Sequence, residues 1–405
     1  MFTKNICALD VGSYQIKACL AKVNRNLEVE EVYFKETLAQ GISQGLVKDV
    51  ADLNRSLNSI IEELRTLAKK RISKFYVSIN GTVLDFREIE AVIPLTDRAN
   101  KIVVQDDIDK LQEYARNIHT KFGEDLLHSI PQYFLLDDNK VINPLGIYGH
   151  CLNMHSLFVV ARANMLDTFV KTLSQSGIDA DEFAYGAYAA NFSVLDEDDK
   201  KYGCVLIDVG SELTSLLIFQ NGRLFKAKII PFGSDSITID IAKRFDLAPK
   251  LADEIKISHG SVSFDSSRED QQVIIKASNV YKNINRKDLI AVIEESATRL
   301  LEKIKEALTE ISPLEKPKKI IAIGQGATLD GFLEKIESYL GIHTTIGFPK
   351  QKYFSKVTKA SLYATCLGLL EYGLTKQRES RSLFLEKYSL PGILNKLKII
   401  YHDYF

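Results

Sequence analysis

The chain has 405 residues, 52 basic and 53 acidic side chains for a formal charge of −1, and 45% hydrophobic residues. This is a globular composition long enough for two to four domains of roughly 100–200 residues, so a single small module is excluded. Near-neutral charge argues against a nucleic-acid partner, and five scattered cysteines with no CxxC pair argue against a disulfide scaffold and for a reducing compartment. No signal-length apolar run and no window of ~18 apolar residues occurs, which predicts a cytosolic chain that can lie on a membrane but not cross it.

The first strand, ICALD, ends at Asp10 and turns through Val11-Gly12-Ser13 into a second apolar strand. The polar turn Asn24-Arg25-Asn26 then leads to a third. A helical stripe follows at Leu53, Leu57, Ile60, Ile61, Leu64 and Leu67, and a strand at FYVSING, 75–81. From about 82 to 161 the pattern changes to strands around one helix, DDIDKLQEYARNIHTKF, with Asp106 or Asp107 as its expected N-cap. Strands PQYFLLD and SLFVVA complete what reads as an α+β insertion. A helix closed by Gly177, a short strand and the AYAANFSVL helix restore βα alternation, and DEDDKK, 196–201, reads as a solvated turn.

CVLIDVGSELTSLLIFQNGRLFKAKII then repeats the opening meander, with Asp208 taking the place of Asp10 at a distance of 198 residues (208 − 10). Helices are expected at about 234–245, from Pro249, and from Lys287 to about Glu310. A strand, a glycine turn and a helix follow in KIIAIGQGATLDGFLEKIESYLG, then a last globular helix at 358–372 and a polar tether, TKQRESRS.

A strand ending in DxGS gathers backbone amides, a hydroxyl and a carboxylate where glycine lets a phosphate approach. Two such loops face to face would clamp a polyphosphate, with Asp10 and Asp208 supporting Mg2+ through water. Gly324-Gln325-Gly326-Ala327, at a strand-to-helix junction, would offer close approach and free helix-start amides. There is no GxxxxGK, no GxGxxG at a strand end and no GxSxG. His150-Cys151 and His155 lack a second ligand pair and read as structural.

Two DxG loops with a distal GxGA resemble the actin-like ATPase superfamily. Within it the chain resembles the FtsA family of bacterial cell-division proteins, through GLVKDVADLNRSLNSIIEELRTLAKKRISKFYVSING, INPLGIYGHCLNMHSLFVV, IIPFGSDSITIDIAKRF and LADEIKISHG. The resemblance implies an α/β, duplicated two-lobe actin-like ATPase fold with an inserted α+β subdomain and a C-terminal amphipathic helix. Its expected parts are a first lobe at 1–81 and 162–200, the insertion at 82–161, and a second lobe at 201–374 whose smaller subdomain covers about 246–312. A tether at 375–382 and a membrane-targeting tail at 383–405 follow. It also implies an ATP site with Mg2+, lined by Asp10, Gly12, Ser13, Asp208, Gly210, Ser211, Thr214, Gly324, Gly326 and Ala327, with Asp253 and Lys256 toward the nucleoside. The implied partners are further copies of the chain in a filament and the C-terminal tail of the tubulin-like FtsZ, received near Asn285, Arg286 and Lys287.

Three positions depart from the family pattern. Tyr14-Gln15 replaces small residues and a lysine, Glu212-Leu213 interrupts a glycine-rich run, and Gln325 replaces a glycine, which together predict weak or absent hydrolysis. The terminal PGILNKLKIIYHDYF supports a membrane role independently. As a helix it puts Ile393, Leu394, Leu397, Ile400, Tyr401, Tyr404 and Phe405 on one face, with Lys396 and Lys398 placed to meet anionic lipid; the resemblance implies that this lipid lies at the cytoplasmic face of the cell membrane. Two other functions share the lobes: a PilM-like type IV pilus scaffold, for which a membrane helix is not expected, and a sugar or acetate kinase, which needs a catalytic base.

Overall fold

The computed structural model describes residues 3–95, 101–262, 272–277, 280–311, 317–351 and 360–388. The expected membrane residues, from Ile393 to Phe405, lie outside them.

The first lobe comprises β1 (Lys4–Val11), β2 (Gln15–Val23), β3 (Val29–Leu38), a small hairpin of β4 (Ile42–Ser43) and β5 (Leu46–Val47), α1 (Val50–Ala68) and β6 (Ile72–Ile79). An insertion follows: β7 (Leu84–Pro94), β8 (Lys101–Ile102), α2 (Gln105–His119), β9 (Glu124–Leu136), β10 (Asn139–Val141), β11 (Tyr148–Gly149) and β12 (Cys151–Arg162). The chain then returns through α3 (Ala163–Gln175), β13 (Glu182–Tyr185), α4 (Gly186–Val194) and α5 (Glu197–Tyr202). The second lobe contains β14 (Cys204–Val209), β15 (Thr214–Gln220), β16 (Arg223–Ile230), α6 (Asp235–Phe245), α7 (Pro249–His259), β17 (Gln272–Ala277), β18 (Val280–Asn285) and α8 (Arg286–Glu310). It continues with β19 (Lys319–Ile323), α9 (Phe332–Leu340) and β20 (Thr344–Ile346), and the closing helix is α10 (Ala364–Tyr388).

The two five-stranded sheets are wired alike. In one the order is β13-β6-β1-β2-β3, and in the other β20-β19-β14-β15-β16, each an antiparallel meander extended by two parallel strands. The duplicated sequence therefore folds as a duplicated sheet. These central strands are buried on both faces, and the short turns set the register: Asp10 pairs with Lys17 on β2, and Asp208 with Ser215 on β15. In α1 the apolar stripe Leu53, Leu57, Ile60, Ile61 and Leu64 is buried, Asp49 caps the first turn through the Asp52 amide at 2.9 Å, and Lys69 in left-handed conformation ends the helix.

Several local expectations are corrected. Val104, not Asp106 or Asp107, precedes α2; Asp107 is one turn inside and accepts from the Val104 amide at 3.1 Å and Lys101 Nζ at 2.7 Å. DEDDKK is not a solvated turn but the body of α5, because Asp199 is buried where it receives Lys319 and, at 2.9 Å, Lys350. Residues 375–382 are helical rather than a tether, and they lie within α10. That helix packs on the first lobe, not the second, burying Cys366, Leu367, Leu369, Leu370 and Leu374 among Ile6, Ala8, Cys19, Tyr76 and Ala189. Its basic residues then find acceptors on the same lobe: Arg378 donates to the Leu27 carbonyl at 2.7 Å, Arg381 to the Arg25 carbonyl at 2.8 Å, and Lys376 pairs with Glu182.

The insertion touches both lobes. Arg223 of β16 donates to the Pro131 carbonyl at 2.7 Å, and Lys226 pairs with Glu88 at 2.9 Å. His155 stacks on Tyr133 with ring centres 4.4 Å apart, in keeping with a structural role. His128 of β9 is buried against Tyr188 and Tyr372; its Nε2 accepts from the Tyr185 amide at 2.9 Å. Burial first, and then the charge of Lys376, lower its pKa from 6.5 to about 3. Above pH 6.5 this histidine is neutral in both the folded and the unfolded chain. Below it only the unfolded chain binds the proton, so stability falls as pH drops from 6.5 toward 3, by about 1.4 kcal/mol per pH unit. His128→Gln keeps an acceptor for the Tyr185 amide but cannot titrate. Urea denaturation between pH 7 and 4.5 should show a shallower pH dependence for this variant; parallel curves would refute the assignment.

Candidate functional site

The two DxGS turns face each other across the cleft between the lobes. Each is closed by the same bond, Gly12 N to Gln15 O at 3.1 Å and Gly210 N to Leu213 O at 2.9 Å. A Cβ on either glycine would sit 3.0 Å from that carbonyl oxygen, so the turn closes tightest with glycine. Asp10, Gly12, Ser13, Asp208, Gly210 and Ser211 all line one cleft enclosing about 870 Å³ of empty space.

Asp10 is held by groups that the sequence did not single out. Its Oδ1 accepts from Ser78 Oγ at 2.7 Å and Asn80 Nδ2 at 3.4 Å, while Ser78 Oγ accepts from the Val11 amide at 3.1 Å. The available signal was a pair of polar residues at the end of an apolar strand, β6, running parallel to β1, where ligands of α/β sheets gather. Lys17 Nζ donates to the Leu362 carbonyl at 3.0 Å and lines the same cleft.

Burial raises the pKa of Asp10, opposed by its bond to Ser78 and the charge of Lys17. Asp208 is pushed up to about 7 by burial and then by the charge of Asp10, with Lys17 opposing. Two carboxylates that disfavour each other's ionisation at a glycine-lined cleft suit a cation that arrives with a polyphosphate. Among the described residues no group of three His, Cys, Asp or Glu side chains is placed to hold a metal ion directly.

The third loop reaches the second. Gly324 adopts φ +86°, and a Cβ there would lie 2.5 Å from both Asp208 Oδ1 and the Val209 carbonyl; a Cβ on Gly326 would meet Val209 Cγ1 at 2.4 Å. Close packing against β14 thus explains both glycines. The expected helix start is not at this loop: residues 326–328 form a 3-10 turn, α9 begins at Phe332, and Ala327 is buried in the core rather than facing the cleft. Thr214 is also displaced from the expected site. It is fully buried, and its hydroxyl donates to the Phe232 carbonyl at 2.8 Å.

A second cavity of about 960 Å³ adjoins Gln325 and Gly326, walled by Lys256, Gly260 and Arg286. Lys256, expected toward the nucleoside, lines this cavity rather than the cleft between the two DxGS turns. Asp253 stands behind it, accepting from Lys256 Nζ and from Tyr14 Oη, both at 2.7 Å. Of the residues expected to receive a partner, Arg286 faces this cavity and Asn285 caps α8 through the Lys287 amide at 2.8 Å, while Lys287 is exposed. Glu212, expected to place negative charge beside the phosphates, turns toward the first lobe, where Ser43 Oγ donates to it at 3.0 Å and the Gln44 amide donates as well.

The sequence profile described as cell division protein FtsA matches residues 205–368, and that described as the SHS2 domain inserted in FTSA matches residues 81–160. The chain belongs to the FtsA family. FtsA of Pseudomonas aeruginosa is 26% identical over 385 residues, covering 94% of this chain and 92% of its own length. FtsA of Escherichia coli K12 is 23% identical over 384 residues, covering 91% and 90%. FtsA of Bacillus subtilis is 21% identical over 374 residues, covering 92% and 84%. Among solved structures, the chain is similar to one from a PilM–PilN type IV pilus biogenesis complex (TM-score 0.66, 15% identity, 91% of this chain and 98% of that one). It is also similar to MreB5 of Spiroplasma citri bound to ADP (TM-score 0.54, 13% identity, 93% and 98%). These likenesses show the actin-like fold.

Proposed function

We propose that this FtsA-family chain is a cell-division scaffold that binds ATP with Mg2+, assembles into actin-like filaments and tethers FtsZ to the cytoplasmic face of the membrane. The observation that carries the nucleotide part is the pair of equivalent DxGS turns facing one another, with Asp10 and Asp208 across a single cleft. A bound Mg2+ would neutralise phosphate charge. The turn amides and the hydroxyls of Ser13 and Ser211 would hold the phosphates, Asp10 and Asp208 would accept hydrogen bonds from the cation's waters, and Lys256 and Arg286 would flank the nucleoside.

Asp10, Asp208 and Glu212 are the carboxylates lining the phosphate cleft, and Glu212 is already engaged by Ser43 and Gln44. Among the described residues that leaves no spare base, supporting slow hydrolysis and counting against a metabolic kinase. The pilus reading rests on fold likeness at 15% identity, whereas the family assignment covers both the second lobe and the insertion. Among the described residues no helix is long and apolar enough to cross a membrane, so membrane contact is assigned to the amphipathic tail. The lipid affinity of one short helix is small, and many tails in one filament would add up.

The test is co-sedimentation of the full chain with ATP, Mg2+ and anionic vesicles, with and without FtsZ. The chain should pellet with vesicles and bring FtsZ with it, and deletion of 389–405 should abolish vesicle binding without lowering the melting temperature. Failure of vesicle-bound chain to recruit FtsZ would overturn the tether; unchanged pelleting of the truncated chain would overturn the tail's role.

A further inference from the structure

Tyr14 and Glu212 hold the same place in the two repeats, the third residue of each four-residue turn, at the 198-residue offset (212 − 14) that also relates Asp10 to Asp208. Each reaches the opposite lobe. From the first lobe, Tyr14 donates its hydroxyl to Asp253 on α7 at 2.7 Å. From the second, Glu212 accepts from Ser43 Oγ at 3.0 Å and from the Gln44 amide, in the hairpin of β4 and β5. Both side chains line the phosphate cleft, so both contacts lie beside the space a polyphosphate would fill.

The two receiving ends are rigid. Asp253 is fixed by Lys256 at 2.7 Å and by Thr238 Oγ1 at 3.2 Å. The receiving hairpin is locked onto the end of β6: a Cβ on Gly45 would lie 1.8 Å from the Asn80 carbonyl oxygen, and the Thr82 amide donates to the Gln44 carbonyl at 3.3 Å. A phosphate chain clamped between two facing turns cannot leave until the turns separate, and separation breaks both contacts.

We propose that Tyr14 and Glu212 are a pseudo-symmetric pair of clasps that hold the lobes closed over a nucleotide and set its rate of release, an inference that rests on the nucleotide-site reading above. Tyr14 acts through its hydroxyl, not only as a wall. Glu212 acts through its two carboxylate oxygens, which also directs its charge away from the phosphates. Both are positioning residues; neither is assigned a chemical step.

Two measurements on the full chain test this. In the first, wild type, Y14F, E212Q and the double variant are loaded with fluorescent N-methylanthraniloyl-ATP and Mg2+ and chased with excess ATP. Release should quicken about tenfold in each single variant and about a hundredfold in the double, as expected for hydrogen bonds to charged groups. In the second, spin labels at residues 58 on α1 and 306 on α8, in a Cys151→Ser background, report the lobe separation without nucleotide. The separation should widen in the double variant. Wild type that binds nucleotide, combined with unchanged release and unchanged separation in the variants, overturns the clasps and leaves the nucleotide site standing. Wild type that binds no nucleotide overturns both.

Discussion

Replacing Asp208 with asparagine is expected to stabilise the nucleotide-free protein at pH 8 and to weaken magnesium–nucleotide binding about a hundredfold. The first effect follows from the raised pKa, from 3.8 to about 7, caused by burial and by the charge of Asp10. A carboxyl whose folded pKa exceeds its unfolded one gives a contribution that is complete below pH 3.8 and lost as pH rises through about 7. At pH 8 the native state therefore carries an unfavourable charge. Since one pKa unit corresponds to about 1.4 kcal/mol and the side chain is partly open to the cleft, removing that charge should gain on the order of 2 kcal/mol, a rise of a few degrees in melting temperature. The gain should vanish at pH 4, where wild-type Asp208 is largely protonated.

The second effect has the opposite sign because the same charge is what a cation would neutralise. Asparagine keeps the size and a carbonyl acceptor but cannot supply charge, and losing about 3 kcal/mol at a cation-assisted site corresponds to about a hundredfold in Kd. Calorimetry with ATP and Mg2+, alongside thermal melts at pH 8 and pH 4, reads both effects. A variant that melts below wild type at pH 8, or that binds magnesium–nucleotide equally well, would remove Asp208 from the role given to it.

Gly368→Val is expected to destabilise the protein by about 3 kcal/mol or more, the largest effect predicted for a packing position. A Cβ on Gly368 would lie 2.1 Å from the Ala189 carbonyl oxygen and 2.6 Å from its carbon. Both atoms belong to the backbone of α4, which cannot rotate away as a side chain can. Glycine in a helix interior ordinarily costs about 1 kcal/mol relative to alanine, so even Gly368→Ala gains propensity and still loses overall, because α10 must lift off α4. That movement would strip cover from Leu367, Leu370 and the surrounding first-lobe core. Ser380→Ala, on an exposed position of the same helix, should change stability little. Equal melting temperatures for Gly368→Val and wild type would show that α10 does not pack as described.

The cross-lobe contacts also bear on the family departures noted in the sequence. Tyr14 and Glu212 look unfavourable in a phosphate-binding turn when each turn is considered alone. In the folded chain each directs its polar atoms to the other lobe, Tyr14 to Asp253 and Glu212 to Ser43.

Much of the protein was legible from the residue order. The duplicated meanders, the apolar stripe of α1, the position of the insertion and the paired Asp10 and Asp208 follow from periodicity, turn chemistry and an internal repeat, all of which are local or self-similar signals. What only the tertiary structure decided depends on residues distant in sequence. The fate of Glu212 depends on Ser43 and Gln44, the support of Asp10 on Ser78 and Asn80, and the burial of Asp199 on Lys319 and Lys350. The same holds for α10: its sequence shows a helix followed by polar residues that resemble a tether, but it packs on the first lobe because Leu367, Leu370 and Leu374 are buried there among Ile6, Ala8 and Tyr76, which brings Arg378, Arg381 and Lys376 to acceptors at Leu27, Arg25 and Glu182. Period and turn type are set by neighbouring residues, so a linear reading finds them. A side chain's partner is set by the sum of all packing and by the need to satisfy each buried charge, and that exists only once the lobes have closed.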